Sequence, residues 1–149
     1  GVSFPVSNYN TENGQAIGQR ATRIQPKLVV QLALKNGLFF QVQSGYNYAL
    51  SPVTSSVPFS FKTGFSKGRI YIDGWFDFQQ GFGNKDFEGS EPFDSFRELV
   101  VSYTKIGGVF YFAINKHWGT FINGSQVLSG RNTPVATTIG TGVVYRIVK

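Results

Sequence analysis

Residues 69–78, with the sequence Arg-Ile-Tyr-Ile-Asp-Gly-Trp-Phe-Asp-Phe, decide the fold class of this chain. Successive side chains of a β-strand point to opposite faces, so a period of two divides this stretch into two sides. One side is apolar and carries Ile70, Ile72, Phe76 and Phe78. The other side carries Arg69, Tyr71, Asp73, Trp75 and Asp77. The alternation predicts a strand with one face in the core and one face in solvent.

The preceding stretch, Val57–Phe65, alternates in the same way, with four apolar residues on one side and Ser60, Lys62 and Gly64 on the other. If the two strands are neighbours, their apolar sides form core and their polar sides form one solvated surface. On that surface Trp75 lies among charged residues, which favours a platform for a sugar or a protein partner, because a flat apolar ring sits beside hydrogen-bonding groups. The alternative is that a loop or a neighbouring domain covers Trp75.

Further stretches with a period of two are separated by clusters of Gly, Pro, Asn and Ser, and they predict a chain made largely of strands. Asn36-Gly37 is a hairpin signal because both residues tolerate positive φ, and Gly107-Gly108 is predicted to form a later hairpin. Many short antiparallel strands predict an all-β antiparallel sandwich or jelly roll. The predicted strands are Lys27–Leu34, Gly37–Ser44, Val57–Phe65, Arg69–Phe78, Arg97–Lys105, Val109–Lys116, Trp118–Ile122 and Val143–Val148.

The length of 149 residues fits one domain, 1–149. Because the chain opens on Gly1 and not on Met, we expect it to be part of a larger or processed chain. No apolar run reaches the roughly 18 residues that a membrane span needs, so membrane insertion is not expected. The polar segment from Ser3 to Ile24 is predicted to wrap the edge of the sandwich.

The net charge of +6 is distributed unevenly along the chain. The segment from Gly14 to Ile72 carries only basic charges, and most acidic residues lie between Asp73 and Glu98. A basic surface could attract nucleic acid or acidic glycans by long-range electrostatics. The bases are scattered and form no dense run, however, so a solvated surface is the favoured interpretation and no specific nucleic-acid partner is expected.

Catalytic chemistry has few candidate residues in this sequence. The chain has no Cys, which excludes thiolate metal sites and a cysteine nucleophile. Its single histidine, His117, is predicted to lie in a turn. Carboxylates remain, so a glycosidase-like pair is open in principle, as is a calcium site between Asp86 and Asp94. That segment has the character of a solvated loop without regular ligand spacing. We therefore expect a protein that is not an enzyme and that uses no metal or cofactor.

The order of the predicted elements resembles a galectin carbohydrate-recognition domain. The best part of the resemblance is Val-Phe-Tyr-Phe-Ala-Ile-Asn-Lys-His-Trp-Gly-Thr-Phe at residues 109–121, which is similar to a Phe-led strand of that family followed by His and an aromatic residue. Glu91-Pro92-Phe93 resembles the Pro-Phe before that strand. Ile139-Gly140-Thr141-Gly142-Val143 resembles the entry to the last strand, without its Asp, and residues 37–42 resemble an early family strand. The resemblance implies a galectin-like sandwich.

The sugar-binding signature of that family is altered here. Where the family has His-x-Asn-Pro-Arg, this chain has Ser60-Phe61-Lys62-Thr63-Gly64, and Asp73 stands where the family has an Asn. Phe82 stands in place of the stacking Trp, and Lys85 and Phe87 replace the Glu and Arg that follow. Together with Trp75, the matched positions imply a candidate ligand-binding set, which comprises Ser60, Lys62, Asp73, Trp75, Phe82 and Lys85.

The expected function is therefore lectin-like recognition of a glycan or glycoprotein other than simple lactose. The alternative is a protein-interaction or structural module that keeps the sandwich without sugar binding, including the receptor-binding head of a viral spike or fibre. A location outside the cell, or on a cell or virion surface, is favoured. The sequence predicts neither the glycan nor the oligomeric state.

Overall fold

The computed structural model of this chain describes residues 1–8, 11, 19–89, 91–92 and 94–147. Part of the predicted edge-wrapping segment from Ser3 to Ile24 lies outside the described residues, as do Phe93 and Val148. The described part contains ten strands and a single-turn 3-10 helix, Phe96–Glu98. The strands are β1 Val2–Ser3, β2 Arg23–Ile24, β3 Lys27–Ala33, β4 Leu38–Gly45, β5 Tyr48–Ala49, β6 Ser56–Lys67, β7 Ile70–Gly81, β8 Ser102–Ala113, β9 Trp118–Arg131 and β10 Thr137–Tyr145.

The strands form two antiparallel sheets, which confirms the predicted all-β antiparallel class and is consistent with an all-β sandwich. The large sheet has seven strands in the order β10-β9-β8-β7-β6-β4-β3, so each strand pairs with the next long strand of the chain. The small sheet joins β1, β2 and β5, each two residues long. Within the described residues, no helix is long and apolar enough to cross a membrane.

The hairpin predicted at Asn36-Gly37 is confirmed. Leu34 and Gly37 close the turn through the hydrogen bond from Gly37 N to Leu34 O at 3.0 Å, and Gly37 has φ +99°, a conformation that glycine adopts readily. The hairpin predicted at Gly107-Gly108 is wrong, because β8 runs through both glycines without a turn. The chain turns instead after Ala113, where His117 lies as predicted.

The register confirms the predicted alternation and defines two faces of the large sheet. Phe61 pairs with Phe76, and Lys62 pairs with Trp75 on the opposite side. We call the first side the apolar face. Its large side chains in the four central strands are Phe59, Phe61, Phe65, Ile70, Ile72, Phe76, Phe78, Ile106, Phe110, Phe112 and Ile122. We call the second side the polar face, which bears Gln31, Gln41, Ser60, Lys62, Tyr71, Asp73, Trp75, Asp77, Lys105 and Asn123.

Glycines on the polar face let large side chains lie flat on the neighbouring strand. Phe39 lies over its cross-strand partner Gly64, where an added Cβ would be 2.7 Å from Phe39 Cζ. Trp75 lies over its partner Gly107 in the same way. Such aromatic cover of strand glycines offsets the packing that glycine lacks, and it explains why this sequence is rich in both glycine and aromatic residues.

Burial is concentrated at one end of the large sheet. The buried apolar side chains are Ala49, Val53, Leu99 and Val100. Val100 lies against Gly81 at the end of β7. The sequence predicted that the Phe/Ile sides of β6 and β7 would be core, and this is wrong within the chain.

On the apolar face the central side chains are half-buried or exposed, and Ile72 is 47% exposed. No second layer of the described chain lies over the middle of that face, which is why the predicted core positions keep their contact with solvent.

Candidate functional site

The polar face of the large sheet brings four of the predicted site residues together. Lys62 and Trp75 are direct cross-strand partners, and Asp73 precedes Trp75 by two residues on the same face of β7. Ser60 lies two residues before Lys62 and donates a hydrogen bond to Asp77 Oδ1 at 2.5 Å. Adjacent strands lie about 4.8 Å apart, so these side chains share one patch.

Asp73 is the most buried charged residue of this patch. Its side chain is 2% exposed, and its Oδ2 receives the Tyr71 hydroxyl at 2.5 Å and lies 3.2 Å from Lys62 Nζ. Asp73 Oδ1 is buried and has no hydrogen-bond partner among the described residues. A buried acceptor without a donor costs roughly 1–3 kcal/mol. Asp73 Oδ1 is therefore a buried acceptor to which the described residues supply no donor.

Tyr71 is tied to the same carboxylate by its protonated hydroxyl. Burial of the ring, the hydrogen bond to Asp73 and the nearby negative charge together raise the pKa of Tyr71 to about 12. The hydroxyl thus remains a donor to Asp73 throughout the physiological range. Phe39 stacks on Tyr71 with ring centroids 5.8 Å apart and an angle of 19° between planes, which extends the aromatic surface toward β4.

Trp75 supplies a second flat ring in the middle of the patch. Its indole rests on the backbone of Gly107, and Lys105 Nζ lies 5.3 Å from the ring centroid. Such a cation–π contact holds both side chains in place. Lys105 also faces Asp77 as its cross-strand partner. The basic and acidic side chains of the patch therefore alternate, and the patch has no strong excess of either sign.

A groove on the polar face lies beside the Asp73 cluster. It encloses about 420 Å³ and is lined by side chains of β3, β4, β6 and β7, including Gln31, Gln41, Phe39, Lys62 and Tyr71. Neither glutamine amide makes a hydrogen bond to another described residue. The groove thus combines amide donors and acceptors, an ammonium group and an aromatic wall, and its size is within the range of small-molecule sites.

The other two predicted site residues lie elsewhere. Phe82 follows the end of β7, on the order of 20 Å along the strand from Trp75, and stacks on Tyr46 with centroids 6.1 Å apart. Lys85 forms an ion pair with Glu98, and this hydrogen bond raises the pKa of Lys85. The structure thus separates Phe82 and Lys85 from the patch formed by Ser60, Lys62, Asp73 and Trp75.

Asp86, one of the carboxylates considered for catalysis or calcium binding, forms an ion pair with Arg131. Asp86 receives Arg131 Nε at 2.5 Å and Nη2 at 2.7 Å, and this contact with Arg131 lowers the pKa of Asp86. Asp73 and Asp77 are four residues apart on one strand face, or about 13 Å, which exceeds the roughly 5–9.5 Å of a glycosidase pair. Within the described residues, no cluster of three or more His, Cys, Asp or Glu could hold a metal ion.

Sequence reasoning missed Gln31, Gln41 and Phe39 as members of the site. The Asn36-Gly37 hairpin signal could have predicted the two glutamines, because this turn sets the register of β3 against β4 and pairs Gln31 with Gln41. The pairing of Gln41 with Lys62 then continues the row across β6. That second pairing follows from a longer connection through β5, for which the sequence carries no comparable turn signal.

Comparisons with protein-family models, with curated proteins and with solved structures found no match to this chain.

Proposed function

We propose that this domain is a lectin-like module that binds a glycan on the polar face, in the groove beside Asp73. The observation that carries the proposal is the buried Asp73 carboxylate, whose Oδ1 lacks a donor while Lys62 and Tyr71 fix its orientation. A sugar hydroxyl is a suitable donor, because it is small and neutral and can accept a second hydrogen bond in return. Lys62 is one-third exposed and can move to admit it.

The chemistry of the groove favours a neutral, hydroxyl-rich saccharide. Gln31 and Gln41 can each donate to and accept from hydroxyl groups, and the stacked pair of Phe39 and Tyr71 offers an apolar wall to a sugar ring. Lys62 is paired with Asp73, and Lys105 faces Asp77, so the patch carries little excess positive charge for a strongly acidic glycan. The resemblance of the sequence to a galectin carbohydrate-recognition domain also favours this ligand class, and the altered signature argues against simple lactose.

A glycan array with wild type and two matched variants tests the proposal. Lys62→Ala removes a side chain that lines the groove, and Phe82→Ala removes a predicted site residue that the structure places outside it. We expect selective binding of one class of neutral glycan, loss of that binding in Lys62→Ala, and retention in Phe82→Ala. Circular dichroism of both variants checks that the strands remain formed. Equal binding by wild type and Lys62→Ala would place the glycan elsewhere.

A second candidate function is a protein-interaction or structural module. The exposed apolar face favours it, because soluble monomers rarely leave contiguous apolar patches of several hundred Å² open to water. Silence of the wild-type domain across the whole array, with the strands intact, would favour this candidate.

A further inference from the structure

No described segment of the chain forms a layer over the apolar face of the large sheet, although a sheet with one hydrophobic face needs another layer against it. Exposed hydrophobic positions occur on six of the seven strands, from Leu28 on β3, which is 72% exposed, to Ile139 on β10, which is 77% exposed, and the apolar side chains of β6 are half-buried. The buried apolar residues Ala49, Val53, Leu99 and Val100 lie at one end and do not reach this surface. Most hydrophobic side chains of the described residues therefore remain in contact with water.

We propose that a second copy of this chain covers the apolar face, so that two large sheets stack face to face. This inference does not depend on glycan binding, because the polar face and its groove lie on the opposite side of the sheet.

The area of the face matches what a stable dimer needs. Seven strands at about 4.8 Å spacing give a width of about 34 Å, and nine residues at about 3.3 Å give a length of about 30 Å. Each copy would then bury roughly 1,000 Å², and the pair roughly 2,000 Å², which is at the upper end of the range for specific stable interfaces.

The distribution of charge favours a second copy over an acidic partner. Within the seven strands, the only charged residues of the apolar face are Lys67 and Arg131 at the ends of β6 and β9, and Asp86 neutralises Arg131. An acidic partner attracted by the net charge of +6 would bind where the other basic residues of the chain lie, which is not on the apolar face. A neutral apolar face is complementary to a neutral apolar face, and an identical copy supplies one.

The relief of the face is also self-complementary. Gly74, Gly108 and Gly124 are cross-strand neighbours on this face. Gly108 and Gly124 line an open groove of about 400 Å³, and next to them a Cβ on Gly74 would meet no atom closer than 3.9 Å. A ridge formed by Ile72, Phe110 and Ile122 lies along one side of it. If a two-fold axis runs parallel to the ridge, in the plane between the two sheets and midway between groove and ridge, the ridge of each copy lies in the groove of the other. Such an arrangement is an isologous interface.

Sedimentation equilibrium with two adjacent substitutions tests the dimer. Ile122 lies on the ridge, and Asn123 follows it on the polar face. Because the two-fold axis places each substitution in the interface twice, we expect Ile122→Lys to raise the dimer Kd by at least ~100-fold. Asn123→Lys should leave the dimer intact. A wild-type protein that is monomeric at high micromolar concentration, or an Ile122→Lys variant that dimerises as wild type does, would overturn the proposal.

Thiol labelling keeps the proposal testable if Ile122→Lys fails to fold. The chain has no Cys, so Ile139→Cys on the apolar face and Thr138→Cys on the polar face each introduce a single thiol. At a protein concentration where about nine-tenths of the molecules are dimeric, only the remaining tenth exposes the thiol of Ile139→Cys. Maleimide labelling of that thiol should therefore be about tenfold slower than in the monomer. Labelling at Thr138→Cys should not slow. Equal rates at the two thiols, or slow labelling of Ile139→Cys in a monomer, would contradict cover by a second copy.

Discussion

Substitution of Gly107 by Ala should displace Trp75 and destabilise the domain. A Cβ on Gly107 would lie 2.7 Å from Trp75 Cε2 and 2.7 Å from the backbone oxygen of Gly124, and real Cβ atoms do not approach so closely. Overpacking of this kind costs roughly 1–3 kcal/mol, and removal of a strand glycine returns about 0.5–1 kcal/mol, so we expect a net loss of about 1–2 kcal/mol.

Urea unfolding followed by far-UV circular dichroism measures this loss. With a slope of about 2 kcal/mol per M, in the middle of the usual range, the unfolding midpoint should fall by roughly 0.5–1 M. The native Trp fluorescence should also change, because the indole of Trp75 can no longer rest on the strand. Gly74→Ala is the matched control when both variants are measured at a concentration where the chain is monomeric, since its new methyl group meets no atom of the chain closer than 3.9 Å. An unchanged midpoint and unchanged fluorescence in Gly107→Ala would refute the flat packing of Trp75.

Three further predictions concern the groove, a turn and a loop. The free energy of unfolding should fall as the pH rises from 10 through about 12, because the hydrogen bond from Tyr71 to Asp73 stabilises the fold only while the Tyr71 hydroxyl is protonated. The difference in absorbance at 295 nm between wild type and Tyr71→Phe, followed as the pH rises, reports the titration of this one hydroxyl. Gly37→Ala should cost about 1 kcal/mol or more in urea unfolding, because φ is +99° there and a Cβ would meet Ser66 O at 2.8 Å; an equally stable variant would contradict the turn. Arg131→Ala should lower the midpoint of urea unfolding only slightly, since the pair with Asp86 is partly exposed, and this effect should shrink in high salt; a large, salt-independent loss would contradict a surface ion pair.

The alternation of residues 57–78 carried more of the fold than any other signal in the sequence. It placed Lys62, Asp73 and Trp75 on one face, and the register confirms this placement. Period-two reasoning succeeds here because a shift of one residue would move every side chain to the opposite face. It cannot show what covers a face, and the predicted core around Ile72 is therefore exposed within the chain.

Gly107-Gly108 shows why turn signals fail inside this sheet. Paired glycines ordinarily mark a turn, because they tolerate positive φ. Here one glycine supports the indole of Trp75 on the polar face, and the other floors the groove of the apolar face. Both glycines are needed because residues of neighbouring strands, which are distant in the chain, leave no room for a side chain or line the groove beside them. The positions of Phe82 and Lys85 were missed for a related reason, since the end of β7 separates them from the patch.

The most direct test of the glycan site is a map of chemical-shift changes in the ¹⁵N-labelled protein as it is titrated with the best-binding neutral glycan of the array. The account predicts saturable shifts that cluster at Gln31, Gln41, Lys62, Tyr71 and Asp73, with the side-chain amides of both glutamines among them, and no such cluster in Asp73→Asn. Shifts confined to the loop around Phe82, shifts on the apolar face, or the same cluster in Asp73→Asn would contradict it.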